Sequence, residues 1–175
     1  MAQLVMTVLA IALAALLMAG GVTYFSSDTG TRIETVNSLR AQHSAIMGAL
    51  SSYRLANNGH VPGSIGSFSG YMPEGEVPAF PRGDGIVSWK MSSILQGADR
   101  RMVLCLERGP SPAGSGIRSG IAAFVNETAK RHPGEVRIGA LCTDTDEQVC
   151  PGDGCRSVTA ADFTDAGRAV IFGRL

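Results

Sequence analysis

Few side chains in this 175-residue chain could do chemistry: four cysteines, three histidines and a short acidic run. Cys105, Cys142, Cys150 and Cys155 contain no Cys-x-x-Cys pair, and His43, His60 and His132 stand apart from them. Structural zinc usually takes closely paired ligands, so this spacing argues against it. An even cysteine count suits disulfides formed in an oxidising compartment. Three connectivities are available to four cysteines. Cys105 and Cys142 lie in apolar, strand-like segments (MVLCLE and VRIGALC), while Cys150 and Cys155 flank Pro151-Gly152-Asp153-Gly154, a run of turn formers. The expected pairs are therefore Cys105–Cys142 and Cys150–Cys155. Asp144-Thr145-Asp146-Glu147, with Asp153, could offer oxygens to calcium, but the run lacks the EF-hand spacing and reads as a solvated acidic loop.

His43 falls on an apolar helical stripe, where no serine, cysteine or carboxylate is placed by sequence to act with it; it reads as a packed histidine. Asn126-Glu127-Thr128 fits a glycosylation acceptor but sits inside an expected helix. No phosphate-binding glycine loop and no Gly-x-Ser-x-Gly element is present. The sequence thus points to no catalytic residue, no metal and no cofactor, and to a structural rather than an enzymatic role. Fifteen basic residues balance fifteen acidic ones, so no positive field is indicated for nucleic acid.

The elements that carry these residues start with a long helix. Met1 to Ser27 has no charged side chain, and no proline occurs before Tyr53. Leu4 to Phe25 is long and apolar enough to be expected to cross a bilayer, since about 20 such residues match the hydrocarbon core. Beyond it, Val36, Leu39, His43, Ile46, Leu50 and Tyr53 recur at steps of three and four, giving an amphipathic continuation whose stripe is expected to pack on a sheet. Asn57-Asn58-Gly59 and Pro62 end the helix. Residues 59 to 84, rich in glycine and proline, read as a long surface loop. Strands are expected over Gly85 to Met91, Met102 to Glu107, Val136 to Cys142 and Arg168 to Leu175. Helices are expected over Ile117 to Arg131 and, briefly, Thr159 to Ala166. The fold class is α+β with a mainly antiparallel sheet. It divides into a membrane-spanning or filament-core half-helix (1–27), an amphipathic half (28–58) and a globular head outside the cytoplasm (59–175).

Two function classes follow. An all-round apolar helix can pack on copies of itself as well as on lipid, and Ala10, Ala12, Ala14, Ala15 and Ala19 would allow close approach. A filament core would then use Met1, Leu4, Val5, Val8, Leu9, Ile11, Leu13, Leu16, Leu17, Gly20, Gly21 and Tyr24. Adjacent Gly20 and Gly21 lower the cost of leaving helical geometry there. The alternative is a single-span anchored, extracytoplasmic binding domain that does not polymerise, with the amphipathic half as its stalk.

The uncharged N-terminus, the half-apolar and half-amphipathic helix, the stretch Ala19-Gly20-Gly21-Val22-Thr23-Tyr24-Phe25, the glycine-rich loop and the cysteine-bounded C-terminal region together resemble a type IV pilin. Within that family the chain is most similar to the type IVb class. The resemblance covers Met1 to about Pro62 and rests on architecture beyond. At the fifth position, where the family usually has a glutamate, this chain has Val5. The resemblance implies a pilus subunit serving adhesion, aggregation, DNA transfer or motility. It also implies residence in the bacterial inner membrane before assembly, the pilus assembly machinery as a partner, and a homopolymeric helical filament at the cell surface afterwards.

Overall fold

The computed structural model describes residues 10–15, 27–76, 80–81, 85–96, 99–142, 147–150 and 154–173. Helix α1 spans Ser27–Ala56. Nothing in its sequence interrupts backbone hydrogen bonding, and it ends where a left-handed cap is easiest: Asn58 and Gly59 have φ of 54° and 82°. There the Gly59 N–H donates back to the Arg54 carbonyl at 2.7 Å. Helix α2 spans Ser115–Arg131. Five strands follow the order β1-β2-β5-β3-β4, every neighbouring pair antiparallel: β1 Val87–Gln96, β2 Asp99–Arg108, β3 Val136–Gly139, β4 Glu147–Gln148 and β5 Ala169–Phe172.

Strand alternation sorts the sheet into two faces. Trp89, Leu104, Leu106, Val136, Ile138, Val170 and Phe172 point to the helices and join Leu39, Ile46, Leu50, Ile121, Phe124 and Val125 in the main core. The opposite face holds a smaller cluster of Ile94, Val103, Cys105, Cys142, Ala169 and Ile171. The α+β class and the antiparallel sheet expected from sequence are present.

The membrane-spanning half of the expected helix is corrected. Among the described residues no helix is long and apolar enough to cross a membrane. Charges at Asp28, Arg32, Glu34, Arg40 and Arg54 break any apolar window in α1.

Smaller differences have local causes. The expected loop over 59–84 contains two 3-10 segments, Ile65–Tyr71 and Pro73–Gly75. Ile65, Phe68 and Met72 are buried, and Tyr53 at the end of α1 packs against the rings of Phe68 and Tyr71. Their spacing of three and four was hidden among glycines and serines. The first two strands outrun their apolar stretches because the β1/β2 hairpin keeps its register from Val87↔Arg108 to Gln96↔Asp99. The expected helix after Thr159 is one 3-10 turn, Ala160–Phe163, closed by a capping box between Thr159 and Asp162.

The two helices are held together by the absence of side chains. A Cβ at Gly120 would lie 2.5 Å from the Thr35 Cβ, and one at Gly116 would lie 2.8 Å from the Asp28 carbonyl oxygen. Gly120→Ala should therefore destabilise the protein by about 1–3 kcal/mol despite the better helix former, because overpacking outweighs propensity. Gly48, also helical, has nothing within 4 Å of its would-be Cβ. Gly48→Ala should stabilise by up to about 1 kcal/mol. Urea unfolding of the two variants checks this, and equal effects would refute the close-approach account.

Candidate functional site

Of the expected stripe, Leu39, Ile46 and Leu50 are buried, and Val36, His43 and Tyr53 are half-buried. The buried face of α1 also includes Thr35, Gln42 and Ala49, which polarity or small size concealed in the sequence. The stripe faces α2 as much as the sheet. Arg40 and Arg131 clasp Glu127 at 2.7 and 2.5 Å, and the hydrogen bond from Arg40 is the main reason the Glu127 carboxyl is held below its usual range.

His43 meets three aromatic rings, Trp89 and Phe124 with centroids at 5.9 Å and Phe172 at 5.1 Å. Beside it, the Trp89 indole donates to the Gln42 side-chain oxygen at 2.8 Å, so the buried Gln42 of α1 is tied to β1. The cluster borders a cavity of about 140 Å³ that also touches Met47, Thr128, His132 and Glu135. His132 and Glu135 approach to 3.9 Å. Burial lowers the His43 pKa from 6.5, and the charge of His132 lowers it further. A neutral imidazole among aromatic rings is suited to packing. Among the described residues no group of three or more His, Cys, Asp or Glu could hold a metal ion.

The four cysteines pair as expected. Cys105 on β2 joins Cys142 beyond β3 on the sheet's outer face, with a sequence separation of 37; Cys150 joins Cys155 with a separation of 5. Residues 143–146 and 151–153, which hold most of the acidic run, lie outside the described residues. Asn126 does not present a free acceptor: its amide donates to the Val158 carbonyl at 2.7 Å and its oxygen accepts the Val158 N–H at 2.9 Å. Two hydrogen bonds make it a clasp between α2 and the segment before the last 3-10 turn.

Of the expected filament-core residues only Ile11 and Leu13 are among the described ones, and they are 65% and 55% exposed. Met1, Leu4, Val5, Val8, Leu9, Leu16, Leu17, Gly20, Gly21 and Tyr24 lie outside them. Near the start of α1 a surface groove of about 360 Å³ runs along Thr29, Arg32, Ile33, Val36, Asn37 and Ala123. Ile33 is 53% exposed there. Apolar surface is exposed here and also at the other end of α1, where Leu55 is 86% exposed beside a groove along Ser51, Arg54 and Asn58.

Comparison of the chain with family models, with curated proteins and with solved structures finds no match.

Two outcomes test this geometry. Well above pH 6.5 the His43 imidazole is neutral both folded and unfolded; as the pH falls through 6.5 the unfolded chain protonates first, because burial depresses the folded pKa. Stability should fall as pH drops from 7 to 5, and His43→Phe should flatten that slope in thermal melts. An unchanged slope would show that His43 does not titrate in this way. For the disulfides, the chain-entropy estimate gives about 4 kcal/mol for the long loop and about 2 kcal/mol for the short one. Cys105→Ser should lower the unfolding midpoint more than Cys150→Ser, and the reverse order would contradict the estimate.

Proposed function

We propose that the chain is a structural subunit of a type IV pilus-like surface filament, assembled through its N-terminal segment. The observation that carries this reading is a division along one chain. Residues 1–27 hold no charge, whereas α1 from Ser27 onward is a charged helix built into the head by Leu39, Ile46 and Leu50. An apolar segment joined to a packed helix gives a head that can be carried on a polymer of its own segments. Ile11 and Leu13 are apolar and exposed in the single chain, and their burial between copies would contribute favourably at roughly 25 cal/mol per Å². Contacts between unlike patches that do not close into a ring generate a helical homopolymer.

The head supports a structural role by its own composition. His43, Asn126 and the four cysteines are engaged in packing, hydrogen bonding or cross-linking. Disulfides suit an extracytoplasmic head exposed at the surface. On this reading the partners are further copies of the chain and the pilus assembly machinery, and the filament serves contact with surfaces or other cells.

Removal of residues 1–25 should leave a folded head with both disulfides that stays monomeric in light scattering and forms no fibres. The complete chain should form fibres visible by negative stain. Normal fibres from the shortened chain would sink the proposal.

A further inference from the structure

Three arginines gather where β2 ends, α2 begins and the chain enters β5. Arg108 is 5% exposed, one of only three buried polar or charged side chains among the described residues. Its guanidinium donates to the Ile86 carbonyl at 3.1 Å and to the Gly109 carbonyl, and its Nε has no partner. Its backbone is paired with that of Arg168: the Arg108 N–H donates to the Arg168 carbonyl at 2.8 Å, and the Gly167 N–H returns to Arg108 at 2.7 Å. Arg118, at the fourth position of α2, donates to the Thr164 hydroxyl at 3.1 Å, within the same turn. The Nε atoms of Arg118 and Arg168 are also buried without partners, while both side chains stay half-exposed.

Such a cluster is costly as it stands. Burial, and then the charge of Arg118, lower the proton affinity of Arg108. Among the described residues no ion pair links a carboxylate to any of the three arginines. The nearby carboxylates have other work. Asp28 accepts the Ser115 hydroxyl at 2.5 Å; Asp162 feels the charge of Arg168 without forming an ion pair with it, and accepts Arg156 at 2.7 Å and the Thr159 N–H at 2.8 Å. Asp165 is exposed. Buried cations are ordinarily paired, and a guanidinium fork matches a phosphate-type oxyanion with two parallel donors.

We propose that Arg118 and Arg168 bind a phosphate-type oxyanion, with Arg108 beneath them supplying fixed positive charge. Arg108 is too enclosed to touch the ligand and acts through the field it adds. The half-exposed pair makes the contacts, and Thr164 holds Arg118 in place. The anion can arrive free or as the headgroup of an anionic lipid, since both present the same oxygens. This site is independent of the filament reading.

The test uses the complete chain and the double variant Arg118→Gln/Arg168→Gln, chosen because Arg108 supports the fold through its carbonyl contacts. Far-UV circular dichroism and intact disulfides establish that the variant folds. Inorganic phosphate should raise the melting temperature of the parent saturably, beyond chloride at equal ionic strength, and the variant should lose at least about tenfold in affinity. In a second arm the parent should sediment with phosphatidylglycerol vesicles more than with phosphatidylcholine vesicles, the difference shrinking in the variant, if the anion is a headgroup. Arginine-dependent binding in either arm supports the site and identifies its source. Binding that is absent from both arms, or equal in parent and variant, overturns it.

Discussion

The distance between α1 and α2 is the constraint on which the rest of the head depends. Gly116 and Gly120 let α2 sit against the backbone and the threonines of α1, with Thr35 over Gly120 and Thr31 over Gly116. Only at that separation can one helix pair cover one small sheet, with Leu39 and Ile46 of α1 sharing a core with Phe124 and Val125 of α2. The same approach brings Arg40 within reach of Glu127, an exposed pair that adds little energy but fixes the register between the helices. It also leaves the Thr35 hydroxyl buried without a partner, a cost of about 1–3 kcal/mol that the surrounding packing must exceed.

The two faces of the sheet are stabilised by different means. The helix-facing side relies on large side chains, with Trp89, Phe124, Phe172 and His43 in mutual ring contact. Among the described residues the outer side has only a few aliphatic residues and no helix over it. There the Cys105–Cys142 bond ties β2 to the chain beyond β3, across β5, where Cys105 lies opposite Ile171. A thin core is thus supplemented by a covalent constraint on the unfolded chain. Lys90 and Glu107, paired at 2.9 Å, finish that face with charge.

Much of this was legible in the residues because period and punctuation agreed. The stripe from Val36 to Tyr53, the stop at Asn57-Asn58-Gly59, the helix before His132 and both cysteine pairs all appear where pattern placed them. What pattern missed was set by neighbours. Gln42 is buried because Trp89, 47 residues away, supplies a donor. Gly120 is indispensable because of Thr35, and β4 exists only through two pairings with β3. The arginine cluster was invisible for the same reason, since Arg108, Arg118 and Arg168 are dispersed in sequence and meet only through tertiary contacts. The membrane-spanning reading drew on the apolar run, while the long described helix is the charged one that follows it.

A head stabilised from within and joined to an uncharged, apolar segment underlies the filament proposal. Electron cryomicroscopy of fibres grown from the purified complete chain tests it most directly. The account predicts a helical array with N-terminal segments at the axis and heads outside, each head retaining the α1–α2 packing at Gly116 and Gly120. Fibres built from head-to-head contacts with the N-terminal segments on the outside would contradict it, as would a chain that remains monodisperse at every concentration.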